Sequence, residues 1–416
     1  MHEDDTKTCM TLETGSCRAA ASLSNKPEAA RPQRRIACFS TSLGPARTVS
    51  SLQEIPAKRL AEAFAGHCKD LRYHEILNQT LAGQFDHYYL ILENSRTGQV
   101  AIQPLFFANQ DITDGLPPMP RSLLTWPRIL FPQWLCVRML VVGCSAGEGA
   151  LDYREPWIVE ALNEALTIYA KQCGVGLVLL KDFPSSYRTI LEPLTNKGYR
   201  RVASMPACIL DFDFASFDEY LKNKLGRTFR ESLRRKLRKQ RTEPELKLEV
   251  VSDAGEVIDA IYPLYLQTYE RSKMRFELLT KNYFSQLGRE LPERIRFFLW
   301  SADGKIIAFA LCMIHDGTIH HLNIGFDYSV SLKRHLYYVT FRDMIEWALE
   351  NGLKHYLTGQ LNYDPKFHLR MKLAPLDLYA RHISPLINPA FKLALGFLQP
   401  ARHDPILRQF ENAREL

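Results

Sequence analysis

Residues rich in Tyr, Ile, Leu and Val fill 87–93 and 100–107, and a polar segment with Gly98 separates them. That pattern predicts a β-hairpin. Further on, 157–173 carries apolar residues at helical spacing, stops at Gly174 and leads into a strand over 175–180. The same order returns later in the chain. Strands are predicted at 296–300 and 306–314 with a turn between them, then a strand at 319–325. A helix over 336–350 follows, stopped by Asn351-Gly352, and a strand over 354–358. The shared order predicts two similar lobes of an α/β (α+β) protein, each a mixed, mostly antiparallel sheet flanked by helices. Chance recurrence of hairpins and helices is the alternative. Residues 1–47 show no sustained periodicity and are expected to be disordered. The lobes are placed at 48–205 and 206–385, with a short helix around 57–68 and an amphipathic tail over 386–416.

Between the lobes, Leu221, Leu225, Phe229, Leu233 and Leu237 recur every fourth position and predict one apolar face of a helix over 217–240. Arg227, Arg230, Arg234, Arg238 and Arg241 follow spacings of three and four on another face. The 15 residues from Arg227 to Arg241 hold eight basic residues and one acidic one, which equals the net charge of +7 of the whole chain. The basicity therefore belongs to one element, and a general affinity for polyanions is not implied. Stacked guanidiniums repel unless an anion faces them, so this face is a candidate for binding one. A solvated face balanced by carboxylates is the other reading.

The nine cysteines are scattered and form no CxxC pair, so no zinc knuckle, metal centre or disulfide framework is expected. No run approaches the length of a membrane span, and no signal-peptide pattern opens the sequence; a cytoplasmic protein is expected.

Two blocks resemble the tandem GNAT-fold acyltransferases (CelD-like and FemAB-like) of bacterial envelope and polysaccharide clusters. One is FDEYLKNKLGRTFRESLRRKLR from Phe217, and the other runs from Gly325 through DYSVSLKRHLYYVTF to the Tyr363-x-x-Lys366 element. The resemblance implies two GNAT-like lobes in tandem and an acyl-CoA or acetyl-CoA co-substrate held between two strands of the C-terminal lobe. It also implies a cell-envelope or polysaccharide acceptor, as a small molecule or lipid-linked. The cofactor's pyrophosphate would lie where a loop meets a helix N-terminus, here at Lys333, Arg334, His335 and Tyr337. That turn has no glycine between Phe326 and Glu350, where the family usually has a Gly-rich one. An aminoacyl-tRNA donor, as in Fem-type enzymes, is therefore considered beside acyl-CoA, with the arginine stripe serving the tRNA backbone. A non-catalytic binding protein using the same stripe is a third reading.

Aminolysis of a thioester needs oxyanion donors and a proton source for the thiolate, but no covalent nucleophile. His320, His321 and Asp327 are the candidates for a base; strand alternation sends the two histidines to opposite faces. Tyr338, beside Tyr337, is the candidate acid. Tyr363, Lys366 and Arg370 are candidates for the substrate, with Arg230 and Arg234. Lys366 and Arg370, four apart, are expected to share a helix face. Each of these residues also has a structural reading, as a satisfied core histidine, a packing aromatic or a solvated cation. The Gly-rich 143–149 lacks a Lys-Ser/Thr and reads as a loop. The tail over 384–400 reads either as a helix packed on the C-terminal lobe or as an interfacial one, which would place the protein peripherally at the inner face of the membrane.

Overall fold

A computed structural model describes residues 36–111, 136–240, 246–272, 274–397, 399, 401 and 404–416. Residues 1–35 and Arg241, parts of two expectations above, lie outside the described residues. The first half of the chain supplies β1 (Cys38–Thr41), β2 (Gly44–Val49), β3 (Asp86–Glu93), β4 (Val100–Asp111), β5 (Cys136–Val142), β6 (Leu177–Pro184), β7 (Arg200–Ala203) and β8 (Ala207–Asp211). The second supplies β9 (Lys247–Val251), β10 (Ile295–Ala302), β11 (Lys305–His315), β12 (Thr318–Phe326), β13 (His355–Thr358), β14 (Lys372–Ala374) and β15 (Leu376–His382). The principal helices are α1 (Ala57–Glu62), α2 (Leu71–Thr80), α3 (Pro156–Gln172), α4 (Phe217–Asn223), α5 (Arg227–Gln240), α6 (Ile258–Arg271), α7 (Lys281–Glu290), α8 (Leu336–Glu350), α9 (Tyr363–His368) and α10 (Asn388–Phe397).

Two mixed sheets result, in the orders β1-β2-β3-β4-β5-β6-β15-β7 and β14-β8-β13-β12-β11-β10-β9. The sheets repeat one scheme. Antiparallel strands lead to a single parallel pair, β5 with β6 and β12 with β13, and antiparallel strands close each sheet. The duplication expected from the order of elements is thus also a duplication of strand pairing, and the molecule is two similar lobes in tandem.

One strand crosses between the lobes. After β7 the chain leaves the first sheet, and β8 pairs with β13 and β14 in the second. After β14 it returns, and β15 inserts between β6 and β7. Strand β15, assigned by its position to the lobe over 206–385, is therefore part of the other sheet. In each sheet the position between the parallel pair and the last strand is filled from elsewhere in the chain, by β15 in the first and by β8 in the second.

Two further expectations are corrected. Residues 38–47, assigned to an unordered tail, form the β1–β2 hairpin. Its edge is held by β2–β3 pairing and by the Thr48 amide donating to the Ala37 carbonyl (2.9 Å). The helix expected over 217–240 is two, because α4 ends at the Lys224 cap and Gly226, a poor helix former, precedes α5. Leu221, Leu225, Leu233 and Leu237 still share one buried core.

The inner faces of both sheets meet a common layer made by α2, α6 and α7. Phe106 and Val141 of the first sheet, Ile76 of α2, Phe284 of α7 and Phe309 of the second sheet belong to one buried cluster. All described residues fall in one compact unit, Ile36–Leu416. No helix among them is long and apolar enough to cross a membrane.

Candidate functional site

Only residues 318–321 of β12 pair with β13, ending at His321 opposite Thr358. There β12 carries a bulge: Asn323 faces Leu311 and His321 faces Cys312, which leaves Leu322 as the extra residue. A bulge bends its strand and ends regular pairing. On the other side the chain passes through Leu361 (φ 67°) and Asn362 (φ 52°), left-handed conformations unusual for a leucine, before α9 begins. Pairing between the two strands thus ends here, and the unpaired stretch between residues 322–326 and 359–362 is called the notch below.

His321 lies at the apex. Its Nδ1 is 2.7 Å from the Tyr356 hydroxyl, and its Nε2 is buried without a well-formed hydrogen bond. Burial, then the Lys366 charge, push the imidazole down to about 4, against the pull of the Asn323 carbonyl, so the ring is neutral at pH 7. On the opposite rim Lys366 is buried. Its ammonium donates to the carbonyls of Gly359 (2.5 Å) and Leu361 (2.7 Å). Burial pushes it down to about 8, with the Cys208 thiol opposing. Tyr337 and Tyr338 meet edge to face, and burial raises both phenols, so both keep their protons. Tyr338 also carries the Lys236 ammonium 4.5 Å over its ring.

The other residues singled out from the sequence have different surroundings. Asp327 pairs with Lys305 (2.8 Å) and caps the Ser329 amide (3.1 Å), and those hydrogen bonds lower its pKa. It anchors the turn before α8. Lys333 is exposed and Arg334 buried, so the two cations do not share one surface. His335 begins α8 from a left-handed conformation (φ 49°). Tyr363 is buried and donates to the Pro206 carbonyl (2.8 Å). Helix α9 ends at His368, so Arg370 (φ 54°) is not on the helix face expected for it and Lys366; it lies 4.0 Å from Glu411. On α5, Arg227, Arg234 and Arg238 are exposed. Arg227 bonds Glu231 (3.0 Å), and Arg230 bonds the Lys222 carbonyl (2.8 Å). A shallow pocket of about 220 Å³ opens where α5 begins, lined by Arg227, Phe229, Phe367, His368 and Arg370.

His320 takes the other face of β12, as alternation requires, and meets the first lobe. Burial, then the Lys69 charge, push it down to about 4, with Glu148 opposing. The buried Lys69 pairs with the half-buried Glu148; desolvation alone would raise the Glu148 carboxyl, but the Lys69 charge outweighs it and holds it low, at about 2. Nearby, Lys181 pairs with Asp182 (2.8 Å), and burial pushes the half-buried Glu277 up to about 7 against Lys181. Reading the sequence missed Lys69, Glu148, Lys181, Glu277 and Tyr356. The one signal for them was the glycine-rich 143–149.

That loop occupies the first lobe's equivalent of the notch. Strand β5 stops at Val142, where its pairing with β6 stops, and the loop folds back on β6: Gly149 donates to the Asp182 carbonyl (3.0 Å) and Lys181 to Gly147 (3.2 Å). Among the described residues, the notch of the second lobe holds no such loop. Residues 227–365, which include it, match the acetyltransferase (GNAT) domain family.

Over these residues the chain resembles a GNAT domain.

Solved structures similar to the chain include L-PGS from Bacillus licheniformis (14% identity, 79% of this chain and 96% of that one, TM-score 0.48). FemX is similar at 14% identity (78% and 94% coverage, TM-score 0.49). A tandem GNAT protein from the clavulanic acid biosynthesis pathway is similar at 11% identity (72% and 83% coverage, TM-score 0.38). No curated protein matches the sequence. Among the described residues, the notch brings together an end of strand pairing, His321 on one side and Lys366, just past the matched stretch, on the other.

Proposed function

We propose that the protein transfers an acyl group from an acyl-CoA thioester to an amine or hydroxyl of a cell-envelope or polysaccharide precursor. The observation that carries this reading is the notch at His321, with the Lys366 ammonium on its far rim. The acyl carbonyl would lie there, and Lys366 would stabilise the oxyanion as the acceptor attacks. The His321–Tyr356 pair would orient the attacking group. As the C–N or C–O bond forms and the C–S bond breaks, the acceptor's proton ends on the thiolate of CoA, and a protonated phenol such as Tyr338 is suited to relay it. The acceptor class rests on the resemblance of the two sequence blocks.

A second reading, an aminoacyl-tRNA donor, is favoured by the exposed arginines of α5 and by the burial of Arg334, which takes one cation from the expected pyrophosphate site. Calorimetric titration with acetyl-CoA, beside a Lys333→Ala variant, decides between them. Micromolar binding weakened in the variant supports the CoA reading. If acetyl-CoA fails to bind while tRNA binds with a steep salt dependence, the donor is tRNA.

A further inference from the structure

The face that α10 turns to solvent is apolar throughout. Between Pro385 and Gly396 the exposed residues are Pro385, Leu386, Ile387, Pro389, Ala390, Leu393 and Ala394. Leu386 is 90% exposed, Ile387 52% and Leu393 66%; they are three of the seven large apolar side chains that the described residues expose. A helix packed on a sheet normally turns its polar side outward. Here the polar side chain Asn388 turns inward, accepting from the His382 amide (3.0 Å) and donating to the Gly198 carbonyl (2.9 Å). Phe391 packs on the His382 ring. The helix is therefore fixed to the fold by its inner side, and its apolar face is presented ready-made.

Within the segment itself the charge has one sign. From Leu378 to His403 the sequence holds Arg381, Lys392 and Arg402 and no Asp or Glu. Beside the helix, Lys197 is exposed, and a Cβ on Gly396 would lie 3.1 Å from the Arg200 guanidinium, so Arg200 borders α10.

We propose that α10 and the three residues before it dock the protein on an anionic lipid surface. Leu386, Ile387 and Leu393 enter the boundary between headgroups and acyl chains, while Lys392, Arg200 and Lys197 face the lipid phosphates. A second copy of the chain fits less well. A two-fold contact would set Lys392 near its own mate, and three large side chains are few for an interface burying about 800 Å² per partner. The proposal is independent of the acyl-transfer reading, because its test measures binding and not turnover.

The test is co-sedimentation of the full chain with vesicles of equal parts phosphatidylcholine and phosphatidylglycerol, and with phosphatidylcholine alone. Wild type is expected to pellet with the anionic vesicles. A Leu386→Ser/Ile387→Ser/Leu393→Ser variant should partition at least about tenfold less, with an unchanged melting temperature because these side chains are exposed. Lys392→Glu should weaken binding about fivefold or more, and added salt should weaken it further. The proposal is overturned if wild type stays in the supernatant, or if the triple variant pellets equally well. It is also overturned if the triple variant only converts a dimer to a monomer in sedimentation velocity. Should that variant fail to fold, binding indifferent to both salt and Lys392→Glu overturns it as well.

Discussion

Held beside Cys208, Tyr363 and His321, the Lys366 ammonium loses more solvation than its two carbonyl partners return, and so its pKa falls to about 8. Below that pH it is a cation held on the 359–361 side of the notch. Lys366→Met is expected to lower turnover by about 10²–10³-fold, with the KM for the donor moving less. In the wild type the rate should fall as pH rises through about 8, as the ammonium is lost. A lysine that served only to cap carbonyls would leave that limb of the pH–rate profile in place after substitution. At this scale the sequence was partly legible. Tyr363, Lys366 and Arg370 stood out together, but their spacing could not tell that Tyr363 is spent on Pro206, nor that the helix stops before Arg370.

Among the elements, the two parallel pairs show how one scheme gives two outcomes. In the second lobe a bulge opens the pair; in the first, residues 143–149 fill the corresponding place. The filling depends on glycine. A Cβ on Gly149 would lie 2.5 Å from the Lys181 carbonyl oxygen and 2.5 Å from the Phe183 ring. Gly149→Ala should therefore destabilise the protein by about 1–3 kcal/mol, read as a lower urea midpoint. The arginines of α5 predict the opposite. Replacing Arg227, Arg234 and Arg238 by alanine should change stability by no more than about 0.5 kcal/mol per site, because all three are exposed. If tRNA is the donor, the same variant should lose affinity for it with a shallower salt slope.

The whole molecule is joined by the crossing of β15 and by the apolar layer that both sheets share. Separate lobes would unfold in two steps; here a single cooperative transition in urea is expected, the same by tryptophan fluorescence and by circular dichroism. Acid should weaken it. Burial holds His74 at about 3 and His87, His320 and His321 at about 4. The unfolded chain binds protons on these rings from about pH 6.5 downward, while the folded one does not. Stability should thus be fully present above pH 6.5 and fall as pH drops from there to about 4, each ring accounting for up to about 3 kcal/mol. Melting temperatures across that range check the sign.

Local pattern determined the order of strands and helices, the two-lobe duplication, the arginine face of α5 and the opposite directions of His320 and His321. These depend on periods of two and 3.6 residues, which neighbouring positions fix on their own. The tertiary structure alone decided which sheet receives β15, which parallel pair stays unpaired at its end, and that Lys69 and Glu148 meet His320. Those outcomes depend on contacts between residues far apart in the chain, where no local period carries the information and only packing selects the partner.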